Sequence, residues 1–394
     1  MNPLPCLFLT MIALPAIAAD PQIEWSGLPP LPPAPEMRIQ PGVASPFVGV
    51  SNGALIVAGG ANFPEAPPWE GGAKTWWDTI FVLQAPNAGW LTGERFRLPR
   101  PLAYGQSFTT PYGVVCAGGS DQKGCSAEVF LLRWNKVAQA IETLPLPALP
   151  EPISMAGGGE SAGRLYVVGG QTATDKPDSS RHAYVLDFRD GPKAGLVWEQ
   201  LPDLPGVDRL LPVSFGISAG AKPGLYVFGG RRQNSAGSPE FPLDGFRYDP
   251  AAGRWNELGR LKACTMAGTA VPYGAASAII LGGDTGEIFL QKEALSARIR
   301  AFQARAAADP HAAADLNSAR TEEKKLLENH PGFSRKTFVY HSETDQWSET
   351  DPLPKWPPVT TTAVWWNEQI VLPSGEIRPG IRTPQVRIGK VGRE

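Results

Sequence analysis

Histidine and cysteine are scarce, four of each in 394 residues. His182, His311, His330 and His341 have no metal-ligand spacing with one another or with cysteine, which argues against a metal centre. An oxidase that builds a copper site from several His and Tyr ligands is disfavoured on the same ground. No G-x-S-x-G turn, phosphate-binding loop or zinc pattern occurs. The formal net charge is only −2, so nothing suggests a nucleic-acid or anionic-membrane partner. No metal, no cofactor and no membrane insertion are expected, and the sequence does not identify a protein partner.

Glycine and proline, in contrast, are abundant, at 43 and 41 residues, as a turn-rich all-β chain requires. A doubled glycine after a short apolar run recurs: LIVAGG ending at Gly60, VVCAGG at Gly119, LYVVGG at Gly170, LYVFGG at Gly230 and AIILGG at Gly283. A degenerate sixth copy, IVLPSG, ends at Gly375. The first five are 59, 51, 60 and 53 residues apart, and the last gap is 92. Strand-rich units of roughly 40–50 residues are the signature of a β-propeller, here of the kelch type. Each glycine slot is followed by a second β-prone run (Thr79–Leu83, Glu128–Leu132, Ala183–Asp187, Phe246–Asp249, Phe338–Tyr340). Then come a polar turn and Trp90, Trp198, Trp255 or Trp347, with Ile141 in that place in the second copy. Each unit reads as a four-stranded blade whose outer Trp packs against the next blade. The segment with Trp25 precedes the first slot, and only Gln385–Val391 follows the last. Pairing the two closes a six-bladed ring without an open edge.

Residues 1–19 read as an export signal, with apolar Leu7–Leu14 and a small-residue cleavage site at Ala16-Ile17-Ala18, although no Lys or Arg lies near Met1. The expectation is a periplasmic or secreted protein whose single propeller domain spans residues 20–394. Cys6 would leave with the signal. Cys116 and Cys125 flank one loop and could form a disulfide in an oxidising compartment; the other reading is a buried small residue and a thiol.

The long last gap loses its strand character from about Glu287 to Ala308 and from His311 to Asn329. Ile288, Leu295, Ile299 and Phe302 share one helical face, and Asp309-Pro310 breaks the run. This predicts a helical hairpin, about residues 287–330, between the second and third strands of blade five, as a partial lid over one mouth of the channel.

Charged residues just after the glycine slots are the candidates for chemistry. The densest run, Gly375-Glu376-Ile377-Arg378-Pro379-Gly380-Ile381-Arg382, places a carboxylate and two guanidiniums within seven residues. Arg can clamp a carboxylate and Glu can exchange a proton with a hydroxyl, which suits an acidic sugar; a plain surface ion pair is the alternative. Arg231-Arg232 follow another slot. The loop NFPEAPPWEGGAKTWW carries Lys74 and the aromatic plates Trp69, Trp76 and Trp77, which either stack on sugar or pack the loop. The Ser-x-Asp-x-Gly-x-x-Trp turns of sialidases are absent.

On these residues the chain resembles the bacterial N-acetylneuraminate epimerases, or sialic acid mutarotases, and looks most like the branch in which blade order is rotated. SGEIRPGIRT (Ser374–Thr383) is similar to the family's G-E-x-[KR]-P-G-x-R motif, and Pro46–Pro64 to a family blade core. Ala103-Tyr104-Gly105 and the helical insertion before Phe338-Val339-Tyr340 add to the likeness, although the insertion is unusually rich in alanine. The resemblance implies interconversion of sialic acid anomers, with Glu376 as general base and Arg382, and secondarily Arg378, on the C1 carboxylate. Arg231, Trp69 and Lys74 complete the expected substrate contacts. The acid is left open among a Tyr, a Lys such as Lys74 and water. The rival readings are a non-catalytic carbohydrate- or protein-binding module and a mutarotase of another acidic or neutral sugar.

Overall fold

The apolar runs before the glycine slots form the second strand of each of six antiparallel units: Ala54–Ala58, Gly113–Ala117, Arg164–Val168, Gly224–Phe228, Ser277–Leu281 and Gln369–Pro373. Each blade is sandwiched between two others, so these strands bury both faces. That is why their sequences are continuously apolar rather than alternating. The structure, a computed structural model, describes residues 20–34, 37–175, 178–233 and 238–392. The candidate signal, residues 1–19, lies outside these.

Five of the six blades are four-stranded; the outer strand of blade one is reduced to a bridge between Val82 and Leu91. Blade six contains Val364–Trp366, Gln369–Pro373 and Val386–Val391, and takes its outer strand, Ile23–Leu28, from the other end of the chain. Ile23 faces Val391 and Leu28 faces Val386 in an unbroken antiparallel register. The ring therefore closes as the count of strands predicts.

The core is divided into wedges, each shared by two adjacent blades. Phe47, Ile56 and Val82 of blade one meet Val114, Phe130 and Trp134 of blade two. Val213, Tyr226 and Phe228 of blade four meet Ile280, Phe338 and Tyr340 of blade five. The outer tryptophans are the expected plates, but they face the preceding blade, not the next one. Three of the four indole N–H groups donate back to it: Trp90 to Pro29 O at 2.8 Å, Trp198 to Pro147 O at 3.0 Å and Trp255 to Pro202 O at 2.8 Å; that of Trp347 has no partner among the described residues. A proline carbonyl after one outer strand is a free acceptor within reach of the following blade's indole, which fixes the direction.

Before the first strand of every blade sits one residue with left-handed backbone: Ser45, Tyr104, Met155, Leu211, Ala267 and Thr360, with φ between 47° and 64°. Each donates its N–H to the carbonyl of the previous member: Tyr104 to Ser45 (3.1 Å), Met155 to Tyr104 (2.8 Å), Leu211 to Met155 (2.8 Å), Ala267 to Leu211 (3.0 Å) and Thr360 to Ala267 (3.0 Å). Ser45 donates to Thr360 at 2.6 Å and shuts the circle. On one side of this ring the channel encloses about 330 Å³, lined mainly by first strands, with Ser107, Thr109, Ser214 and Thr361 among its polar groups.

Helices α1 (Glu287–Gln303) and α2 (Pro310–Glu328) are inserted between the second and third strands of blade five. The Asp309-Pro310 break is the start signal of α2: Asp309 is the N-cap, accepting the His311 N–H, and Pro310 needs no N–H in the first turn. Ile288, Leu295, Ile299 and Phe302 are half-buried, and α2 buries Ala312, Leu316, Ala319 and Leu327.

The disulfide alternative does not hold: Cys116, Cys125 and Cys264 are all free thiols. Cys116 is in the second strand of blade two and packs into the wedge with blade one. Cys125 lies beyond the slot, with Sγ 3.2 Å from Ser154 Oγ of blade three. The two side chains serve different neighbours.

The slots need glycine for two reasons. At Gly283 φ is +114° and a Cβ would lie 2.7 Å from backbone atoms of Thr265. At Gly195, in a turn of blade three, φ is +79° but nothing lies within 4 Å of an added carbon. Gly195→Ala is expected to cost about 1 kcal/mol and Gly283→Ala about 3 kcal/mol or more, the difference being the clash. Urea unfolding of the two variants measures it; equal losses would mean that conformation alone demands these glycines.

Candidate active site

The residue after each glycine slot pairs with the residue before each ring member: Ala61 with Ala44, Ser120 with Ala103, Gln171 with Ser154, Arg231 with Leu210, Asp284 with Met266, and Glu376 with Val359. The six are therefore equivalent positions around one mouth. Blades one to three supply neutral side chains there, and blades four to six supply Arg231, Asp284 and Glu376. None of these three lines the channel cavity beyond the ring.

Glu376 and Arg382 face each other across a small hairpin, Glu376–Arg378 against Ile381–Arg382. Gly380, at φ +80°, turns the chain and donates its N–H to Glu376 Oε1 at 2.6 Å. A Cβ there would meet Pro68 at 2.7 Å and Trp69 at 2.9 Å, so Trp69 packs directly on the turn. Arg382 Nη1 lies 3.1 Å from Glu376 Oε1, with the arginine side chain only 4 % exposed. Its guanidinium sits over the Phe63 ring at 4.9 Å.

The hydrogen bonding of Arg382 is incomplete. Neither Nη1 nor Nε has a hydrogen-bond partner among the described residues; the 3.1 Å approach to Glu376 is an ion pair without hydrogen-bond geometry. Arg231 Nε is likewise buried and unpartnered. Arg209 shows the contrast. It is 0 % exposed, yet it donates to Asp244 at 2.8 Å, to Gly229 O at 3.2 Å and to Val207 O at 3.1 Å. Arg209 is a structural arginine with its donors used. Arg382 is buried and Arg231 half-buried, each with a buried donor in reserve, an arrangement that suits an anion.

The insertion spans the charged half of this mouth. Phe289 of α1 lies 4.5 Å from the Arg231 guanidinium, Lys324 of α2 pairs with Glu70 at 3.1 Å, and Arg378 donates to Glu328 O at 2.9 Å. It thus touches blades four, six and one, as a lid would. Burial lowers the pKa of Arg231, with Glu293 and Asp284 opposing. Arg378 braces the lid with one donor, capping the last turn of α2 where a cation is favoured. Arg232 is engaged by Asp208 and Glu240, each at 3.1 Å. Lys74 turns inward, its ammonium 4.3 Å from the ring of Tyr104 and 5.2 Å from that of Trp76. Trp77 is structural, its indole donating to Asn62 Oδ1 at 2.9 Å, whereas Trp69 and Trp76 keep buried, unpartnered indole N–H groups.

Two buried groups at the mouth escaped the sequence reading. Asp284 occupies the same post-slot position as Glu376 and Arg231, so position alone could have found it. His330, at the foot of the lid, accepts the Gly332 N–H on Nδ1 at 3.1 Å, which leaves its proton on Nε2. Burial, and then Arg378, push the His330 pKa down, so the ring is neutral at pH 7.

Fold and site thus define a six-bladed propeller whose lidded mouth sets a buried guanidinium with unpartnered donors beside a carboxylate. A family profile described as N-acetylneuraminate epimerase matches residues 11–141 and 146–394, and the chain belongs to that family. It is similar to the N-acetylneuraminate epimerase of Brucella suis, 35 % identical over 133 residues, 31 % of this chain and 33 % of that protein. It is similar to that of Vibrio cholerae, 40 % identical over 121 residues, covering 28 % and 30 %, and to that of Haemophilus influenzae, 27 % identical over 240 residues, covering 61 % and 58 %. The matched stretches thus span between 30 % and 58 % of the length of these three relatives.

Arg378→Ala should loosen the end of α2 with a loss of about 1 kcal/mol. Hydrogen exchange would then rise over residues 320–332 and stay unchanged in the blades. Unaltered exchange in α2 would show that the Glu328 contact does not hold the lid.

Proposed function

We propose that the protein interconverts the α and β anomers of N-acetylneuraminic acid. The observation that carries this reading is the Glu376–Arg382 pair: a carboxylate held by one backbone N–H beside a buried guanidinium with donors to spare. The sugar acid's C1 carboxylate sits on Arg382, with Arg231 adding positive charge across the mouth. That places the anomeric centre, one bond from the carboxylate, next to Glu376.

Glu376 takes the proton of the anomeric hydroxyl while a second group protonates the ring oxygen. The bond between C2 and the ring oxygen breaks, and its electron pair stays on that oxygen. The open-chain ketone rotates about C2–C3 and recloses on its other face, returning both protons. The steps are proton transfers around one cleavage, so the net change is stereochemical only. Trp69, Trp76 and Lys74 form the wall on the blade-one side, and the lid limits water. A rotated blade order belongs to this reading. So does export of the mature chain, for which N-terminal sequencing should show a start close to Asp20; a retained Met1 would refute that part. Among the described residues no helix is long and apolar enough to cross a membrane.

Proton NMR on pure α anomer, freshly released by a sialidase, tests the reaction. Wild type should speed the decay of the α signals. Glu376→Gln should lower the rate at least ~100-fold with sugar binding largely retained. Arg382→Ala should weaken binding by about 2–3 kcal/mol, the worth of a charge-assisted pair in a buried site. No acceleration by folded wild type would exclude the activity, and binding without acceleration would mark a carbohydrate-binding module instead.

A further inference from the structure

We propose that Asp284 carries the second proton of this reaction, donating it to the ring oxygen as Glu376 accepts one from the anomeric hydroxyl. The inference rests on the mutarotase reading and names the acid that reading requires.

Asp284 and Glu376 are the first residues after the slots of blades five and six, neighbours in the ring. Their backbones are held alike: Asp284 N donates to Met266 O at 2.7 Å and Glu376 N to Val359 O at 3.0 Å. The next residues along those two segments, Ala267 and Thr360, are joined by a main-chain ring bond of 3.0 Å. Equivalent positions on adjacent blades project two carboxyl groups into one mouth, where a ring-form sugar held by its carboxylate offers a hydroxyl to one and a ring oxygen to the other.

The surroundings of the two carboxyls differ in the sense that acid and base need. Glu376 faces the Arg382 guanidinium at 3.1 Å. Asp284 is buried and makes one hydrogen bond among the described residues, from Gly286 N to Oδ1 at 2.8 Å; Oδ2 has none. No ion pair joins Asp284 to Arg231, whose guanidinium is spread over Phe289. Burial, and next the charge of Glu376, raise the Asp284 carboxyl above its usual range against the opposing pull of Gly286 N–H and Arg231. Cys264, the other titratable group beside it, is held protonated by burial, its pKa pushed up to about 11. A buried carboxyl with no cation paired to it, within the field of a second carboxylate, favours its protonated form, the form a general acid needs. Arg382, buried with unpartnered donors, independently marks this mouth as a ligand site.

Protons balance over the cycle. Ring opening leaves Glu376 protonated and Asp284 ionised. Reclosure returns one proton from Glu376 to the carbonyl oxygen and one from the ring hydroxyl to Asp284. As an acid Asp284 must be protonated, so kcat/KM should fall on the alkaline side as it ionises.

The decisive variant is Asp284→Asn, which keeps shape and the Gly286 contact. The assay is the same anomer exchange, run beside wild type and Glu376→Gln, with binding of N-acetylneuraminic acid followed by calorimetry. The expected result is a fall in exchange rate of at least ~100-fold, binding within about threefold of wild type, and loss of the alkaline limb from whatever activity remains. Activity within threefold of wild type would overturn the assignment, as would a loss of binding as large as the loss of rate, which would make Asp284 a brace for Arg231. Asp284→Glu, which restores an acid, should recover part of the rate; a variant as slow as Asp284→Asn counts against a proton-carrying role. Retained activity in Asp284→Asn together with its loss in His330→Gln would move the acid to the lid. If wild type itself fails to accelerate exchange, the mutarotase reading fails first, an outcome distinct from all of these.

Discussion

Everything at the mouth hangs on a circle of six main-chain hydrogen bonds. Ser45, Tyr104, Met155, Leu211, Ala267 and Thr360 each accept left-handed backbone, at roughly 1–2 kcal/mol apiece, to make it. The bond from Ser45 to Thr360 spans blades one and six, the junction that the strand Ile23–Leu28 staples from outside. Inner ring and outer strand thus close the propeller at two radii. Because the residue before each ring member pairs with the residue after each glycine slot, closure also fixes the position of six side chains around the axis. Residues more than a hundred apart in sequence, such as Arg231 and Glu376, become members of one set.

That set is electrically lopsided, and the lopsidedness explains the lid. The neutral half of the mouth is walled by the blade-one loop with Trp69, Trp76 and Lys74. The charged half lies under α1 and α2, whose contacts with Arg231 and Arg378 cover it from the blade-four and blade-six sides. Excluding water there strengthens every charge interaction inside. It also leaves donors on Arg231 and Arg382 without partners, at about 1–3 kcal/mol each, a cost that the proposed carboxylate ligand would offset. The fully satisfied Arg209, one residue before Leu210, shows that this fold can complete a buried arginine where binding is not at stake.

What was legible in the sequence follows from what repeats and what is local. The glycine pairs, the borrowed outer strand and the helical hairpin rest on periodicity, and Glu376 with Arg382 on a short motif. The ring was not legible: Ser, Tyr, Met, Leu, Ala and Thr share no chemistry, since what they share is a backbone angle imposed from outside. The direction of Trp90, Trp198 and Trp255 depended on which blade offered a spare carbonyl. Cys116 and Cys125 are close in sequence but face opposite neighbours across one strand and its loop. Arg378, read with Arg382 as a carboxylate contact, finds its partner in a helix-terminal carbonyl 50 residues away, which no local pattern encodes. Asp284 was missed although the rule that picks out Arg231 and Glu376, charge directly after a slot, applies to it unchanged.

The slot that departs furthest from the repeat is the one that carries the candidate chemistry, and the departures are connected. Ser374 replaces the first glycine and still adopts φ 59°, because its hydroxyl accepts from Val43 N at 2.8 Å and donates to a carbonyl, with Thr383 O at 2.8 Å and Val43 O at 3.0 Å in reach. That ties the end of the hairpin back to its beginning. Within the tied loop, Gly380 supplies the turn and a hydrogen bond to Glu376, and Pro68 and Trp69 seal the turn's outer side. A six-residue spacing then sets Glu376 opposite Arg382 across the hairpin. A regular glycine pair would give the same strand end without the tether, and the carboxylate and guanidinium would sit on a looser loop. Local deviation from the repeat thus serves preorganisation, which the proposed proton transfers would require.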